Sequence, residues 1–170
     1  MDLSILPIAV RRMIEGPENQ VMDKTGMPDN RRKERLLNNM GAQLNAYIRS
    51  ENARVQAEFY KEALGGEIIV AKSYGEIPGT PEAMKDKIMH LAVSLAGSNI
   101  LMLSDAFEPL AASRSINLGL SYDSEFEART AYEKLGEGGE LVYPFELQPW
   151  GAYYGEVVDK FGVTWQIVKQ

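Results

Sequence analysis

The chain repeats itself, and the repeat restricts it to a pseudo-symmetric architecture. Asn45-Ala-Tyr-Ile-Arg49 has a counterpart 72 residues later in Asn117-Leu-Gly-Leu-Ser121. Tyr60-Lys-Glu-Ala-Leu-Gly-Gly-Glu-Ile68 is matched at the same offset by Tyr132-Glu-Lys-Leu-Gly-Glu-Gly-Gly-Glu-Leu141. The glycine pairs Gly65-Gly66 and Gly138-Gly139 lie 73 apart, which needs one inserted residue. Self-similarity at a fixed spacing reports architecture directly. Each copy reads as strand, helix, strand, strand, strand, and two copies give one domain with a pocket between or within the sheets.

In the first copy, residues 43–49 alternate as a half-buried strand, with Leu44, Ala46 and Ile48 on one face and Asn45, Tyr47 and Arg49 on the other. A helix is expected from Ala53 to Leu64, with Val55, Phe59 and Ala63 on its buried stripe and Gly65-Gly66 ending it. Residues 67–74 read as a strand and 74–86 as a loop. Residues 90–95 and 100–104 form a hairpin around Ala96-Gly-Ser-Asn99. The second copy follows the same plan: a strand over 116–122, a helix over 124–135, and strands over 141–147, 152–158 and 163–168. Its last turn is Asp159-Lys-Phe-Gly162.

Residues 1–40 stand outside the repeat. Pro7, Gly16, Pro17, Gly26 and Pro28 interrupt them, and a helix is expected over about 30–39. They read as an appended leader, poorly ordered or part-helical, and Met27 and Met40 are alternative starts. The domain is then 41–170, with module one at 41–106 and module two at 115–170.

Composition narrows the chemistry. There is no cysteine, so disulfides and thiolate catalysis are excluded, and a reducing, cytoplasmic setting fits. A single histidine, His90, excludes any site in this chain that needs two imidazoles. Of the net charge of −6, residues 1–40 carry +1 and the rest −7. An acidic body argues against nucleic acid as a partner, because phosphate neutralisation drives that binding. The exception, Arg31-Arg-Lys-Glu-Arg35, reads as a solvated helix face or a binding patch. No apolar run reaches the ~20 residues of a membrane helix.

In a sheet backed by helices, the aliphatic face packs on the helix and the other face is free to line a cavity. Alternation puts Asn45, Tyr47, Arg49, His90, Ser94, Asn117, Ser121, Thr164 and Gln166 on that second face. Polar groups there need water or a ligand, since burial unpaired costs about 1–3 kcal/mol each. Arg49 and His90 are its expected basic groups. Arg49 either anchors an anion or turns to solvent, or pairs with Glu51 or Asp105. His90 is either a hydrogen-bonded structural residue or a general acid or base. Trp165 is expected in the core and Trp150 at a pocket mouth or in packing. Glu156 is expected near a strand end.

The pattern resembles the vicinal oxygen chelate superfamily, which includes glyoxalase I, fosfomycin- and bleomycin-resistance proteins and extradiol dioxygenases. Within it the chain is similar to the PhnB-like subfamily. The matching segments include Phe59-Tyr60…Leu64-Gly65-Gly66, Leu101-Met-Leu-Ser-Asp105 and above all Trp150-Gly-Ala-Tyr-Tyr-Gly…Asp159-Lys-Phe-Gly-Val-Thr-Trp165. The resemblance implies an α+β domain of two βαβββ modules, a glyoxalase/bleomycin-resistance-like fold with concave mixed sheets backed by helices, and a homodimer. Metal-dependent members use His/Glu ligands on the first and last strands of each module. The positions carried over here are Asn45, Met102, Asn117 and Gln166, none of which is an imidazole or carboxylate. The expected function is binding of a small organic molecule in a concave pocket without metal or cofactor, through Asn45, Tyr47, Arg49, His90, Met102, Asn117, Trp150 and Gln166. The alternative is a metal-dependent or His90-assisted lyase, isomerase or dioxygenase.

Overall fold

The computed structural model describes residues 44–111 and 115–170. The leader, the alternative starts and the basic cluster lie outside those residues, as does Gln43. Residues 45–170 form one compact unit.

Two four-stranded sheets with one helix each carry out the repeat. Module one runs β1 (Ala46–Ser50), α1 (Ala53–Leu64), β2 (Gly66–Ser73), two single 3-10 turns, β3 (Ile88–Leu95) and β4 (Asn99–Asp105). Module two runs β5 (Asn117–Tyr122), α2 (Glu125–Leu135), β6 (Glu140–Leu147), β7 (Tyr153–Val158) and β8 (Thr164–Lys169). The strand orders β1-β4-β3-β2 and β5-β8-β7-β6 are identical in plan. In each, the first strand runs parallel to the last, and the other pairs are antiparallel.

The repeated residues have repeated jobs. Asn52 caps α1 by accepting from the Val55 amide at 3.1 Å, and Ser124, 72 residues on, caps α2 by accepting from Glu127 at 3.3 Å. Gly65 takes a positive φ of 70° as it ends α1, and Gly138 one of 74° in the turn between α2 and β6. Their neighbours lie against the adjacent strand: a β-carbon on Gly66 would overlap the Ser94 carbonyl, and one on Gly139 the Val158 carbonyl. Both glycine pairs are therefore required by geometry.

The helix-facing sides of both sheets and the two helices share one core. Leu91, Val93, Leu101 and Leu103 meet Ala57 and Tyr60; Val157, Trp165 and Ile167 meet Ala131, Tyr132 and Leu135. Trp165 is buried as expected. Phe59 and Ala63 are buried as expected too, but Val55 is half exposed, and the rest of the buried side of α1 is Ala53, Gln56, Ala57, Tyr60 and Leu64. The buried side takes in Gln56 and Tyr60 in place of Val55, polar side chains that hydrophobicity alone does not flag. Asp159 joins the modules. It accepts from Tyr60 Oη and Trp165 Nε1, both at 2.8 Å, and from the amides of Phe161 and Val163. Burial first, then the Asp159 carboxylate, holds the Tyr60 phenol far above its usual pKa.

Candidate functional site

Strand register fixes what each sheet shows on the side away from the helices. On sheet one, Arg49 is opposite Ser104, and Lys72 is opposite His90. The Leu91–Leu103 pair sets His90 beside Ser104. One row therefore crosses all four strands: Arg49, Ser104, His90, Lys72. The adjacent row is Tyr47, Met102, Ala92, Val70. The Tyr47 and His90 rings lie 6.1 Å apart, and Tyr47 donates to the Met89 carbonyl at 3.5 Å.

Lys72 corrects the expectation that Arg49 and His90 are the only basic groups on this face. The register shifts between Ile68 and Val70, so Ile69 is extra and alternation along β2 reverses beyond it. Simple alternation cannot place Lys72 for that reason. Asp105 is not Arg49's partner. It is buried on the helix side and accepts from the Ala53 amide at 2.6 Å and the Ile88 amide at 2.7 Å, pinning the start of α1 to β3. Among the described residues Arg49 is exposed and makes no ion pair.

Sheet two shows a different chemistry in the same geometry. Its rows read Ser121, Val168, Tyr154, Glu146 and Gly119, Gln166, Glu156, Tyr143. Register makes Tyr154 the counterpart of His90, and Glu146 that of Lys72. Glu156 is thus within β7 on the open face, not near a strand end. Tyr154 donates to Glu156 at 2.9 Å. Burial and that hydrogen bond push the Tyr154 pKa up to about 12, against an opposing contact from Gln166. Tyr143 and Trp150 stand edge-on to the Tyr154 ring at 5.9 and 6.4 Å. Trp150 is 68% exposed.

The predicted residues fall into two groups. Tyr47, Arg49, His90 and Met102 come together on sheet one; Gln166 and Trp150 meet through Tyr154 on sheet two. Asn45 and Asn117 are exposed equivalents, the first just before β1 and the second opposite Thr164. Among the described residues no hydrogen bond or ring contact joins the two groups. Both open faces are accessible to solvent in the single chain.

The metal positions can be judged by their donors. Asn45, Met102, Asn117 and Gln166 offer three amides and a thioether, a poor set for a hard cation that wants carboxylates. Among the described residues no group of three His, Asp or Glu side chains is placed to hold a metal. The donor set does not fit the superfamily's metal. Nor do the strand–helix junctions resemble a nucleotide-cofactor loop: residues 50–52 and 122–124 contain no glycine.

Comparison with known proteins agrees with this geometry. The sequence model of the 3-demethylubiquinone-9 3-methyltransferase family matches residues 45–168. Protein YjdN of Escherichia coli (strain K12) is 33% identical over 126 residues, 66% of this chain and 85% of that protein. The crystal structure of PA1353 from Pseudomonas aeruginosa superimposes with a TM-score of 0.68 at 31% identity, covering 76% of this chain and 98% of that one. A PhnB protein from Bacillus cereus superimposes with a TM-score of 0.63 at 23% identity over 76% and 100%, a likeness of fold.

Proposed function

From the premise that this chain belongs to the PhnB-like 3-demethylubiquinone-9 3-methyltransferase family of the vicinal oxygen chelate superfamily, we propose that it binds a small anionic organic molecule on the open face of sheet one, without a metal. The observation that carries this reading is the row Arg49, Ser104, His90, Lys72. It gathers two permanent cations and an imidazole on one strip of an otherwise acidic protein. Arg49 offers a planar fork that matches a carboxylate or phosphonate, and Lys72 adds a point charge across the strip. Tyr47 and Met102, in the next row, supply an apolar bed for the body of the ligand.

An exposed strip binds weakly unless something covers it. A second copy of the chain supplies that cover in this reading, so the working form is a homodimer. The absence of cysteine supports the cytoplasm as its location, and the acidic body argues against nucleic acid. Among the described residues no helix is long and apolar enough to cross a membrane.

Thermal-shift measurements with benzoate, methylphosphonate and neutral benzamide test the reading. The two anions should stabilise the wild type, benzamide should not, and Arg49→Ala should weaken anion binding about tenfold or more, the scale of a charge-assisted hydrogen bond. Equal stabilisation of wild type and Arg49→Ala would remove the anchor. A second reading, a His90-assisted lyase or isomerase, rests on the position of His90 beside Tyr47. It requires turnover that His90→Ala abolishes while binding persists.

A further inference from the structure

The open face of sheet two carries side chains that the sheet-one strip does not use. The two sheets share one plan, yet equivalent positions hold opposite chemistry. Tyr154 stands where sheet one has His90, and Glu146 where it has Lys72. Gly119, 72 residues after Tyr47, leaves its place empty: a β-carbon there would meet nothing within 4 Å. The two rows that cross this face contain no lysine, arginine or histidine. Among the described residues neither Glu146 nor Glu156 is in an ion pair. Two carboxylates thus lie on this face without a countercharge of their own.

Beside them three aromatic rings meet at a corner. Tyr143 and Trp150 stand at 67° and 66° to the Tyr154 ring, with centroids 5.9 and 6.4 Å away. Stacked rings would hide one another's faces, whereas edge-on contacts leave faces uncovered. Tyr143 and Trp150 are both exposed. The corner is also held in place. Tyr154 is tied to Glu156 by its 2.9 Å hydrogen bond. Trp150 is presented by a closed turn: the Gln148 amide donates to the Ala152 carbonyl and the Gly151 amide to the Gln148 carbonyl, both at 2.9 Å, and Gly151 takes φ 93°.

The geometry points to a binding site for a quaternary ammonium group, seated against the Tyr143, Tyr154 and Trp150 rings with the Glu156 carboxylate beside it. Aromatic faces attract a cation through the ring quadrupole. The Tyr154 hydroxyl hydrogen is spent on Glu156, so the corner offers ring faces and negative charge rather than donors. A methylated ammonium has no N–H to satisfy and spreads its charge over its methyl groups, which is the complement of that surface. The site is independent of the anion strip on sheet one.

The test is a titration of the full chain with choline chloride at constant ionic strength, followed by amide and indole NMR shifts. Neutral 3,3-dimethylbutan-1-ol has the shape of choline without its charge, and ammonium chloride the charge without the methyl groups. Choline should shift the Trp150 indole and the Tyr154 and Glu156 amides saturably, with half-saturation below ~30 mM and tighter than either control. Trp150→Leu should weaken binding about threefold or more, and Trp150→Phe, which keeps a ring, should stay within about twofold of wild type. Glu156→Gln keeps an acceptor for Tyr154 and should weaken binding about twofold or more. The inference is overturned if choline fails to saturate these signals, if either control binds as tightly, or if Trp150→Leu with a native spectrum binds choline as the wild type does. Benzoate, the probe of the sheet-one strip, should leave these signals in place, so the two readings fail separately; equal shifts with benzoate and choline would overturn the charge selectivity and with it the site.

Discussion

Tyr60 of module one donates its phenol hydrogen to Asp159 of module two, 2.8 Å away and 99 residues along the chain. The same carboxylate takes Trp165 Nε1, so a buried donor from each module converges on one residue. Removing an acceptor from such a hub strands several donors at once. Asp159→Asn is expected to lower unfolding free energy by about 3 kcal/mol, and Tyr60→Phe by about 1–2 kcal/mol. Urea denaturation of the two variants measures this. Midpoints equal to wild type would mean that the hub does not hold the modules together.

The duplicated glycines make a paired prediction. Gly66→Ala and Gly139→Ala each place a methyl group into a backbone carbonyl of the neighbouring strand, so both should cost more than about 2 kcal/mol. Gly65→Ala faces open space and suffers only its positive φ, so its cost should be about 1 kcal/mol. Thermal melts of the three variants should rank them in that order. A milder effect at Gly66 than at Gly65 would contradict the strand contact.

These glycines also show what the sequence makes legible. The repeat, both helices, every strand within a few residues and the burial of Trp165 follow from spacing and alternation. The site is less legible, for three physical reasons. The extra residue at Ile69 reverses alternation along β2 and hides Lys72. Glu156 sits within a strand whose partners are known only from register. Asp105 and Asp159 are acceptors for groups 17 to 99 residues away, and long-range hydrogen bonds leave no periodic signal.

Alkali should unfold this protein early. Tyr60 and Tyr154 both hold their protons in the folded state beyond the ordinary phenol range, Tyr154 to about 12. Above pH ~10 the unfolded chain has lost protons that the folded chain keeps, so the unfolded state binds fewer of them. Stability is then full below pH ~10 and falls as the pH rises through the window to about 12. The melting temperature should drop across that window. Phenolate absorbance should rise late, with Tyr60 contributing only on unfolding. A flat melting temperature to pH ~12 would refute both shifts.

Elemental analysis of the purified protein should find well under one zinc, manganese, nickel or iron ion per chain. The reason is the amide and thioether set Asn45, Met102, Asn117 and Gln166. A stoichiometric ion lost on Gln166→Ala would show that these donors suffice. Gln166→Glu should raise affinity for manganese in any case, since a carboxylate is the stronger ligand for a hard cation.

Tyr122 supplies a control of opposite sign to Tyr60. Tyr60 projects from α1 into the core, and Tyr122 ends β5 on the side that packs against that core. The Tyr60 hydroxyl has partners, whereas the Tyr122 oxygen is buried with none. Deleting a partnered hydroxyl strands its partners; deleting an unpartnered one removes a desolvated group and leaves the ring packing intact. Tyr122→Phe is therefore expected to leave stability unchanged or raise it by up to about 1 kcal/mol, while Tyr60→Phe lowers it. Parallel urea curves decide the matter. A loss at Tyr122→Phe as large as that at Tyr60→Phe would mean that its hydroxyl has a hydrogen-bond partner in solution after all.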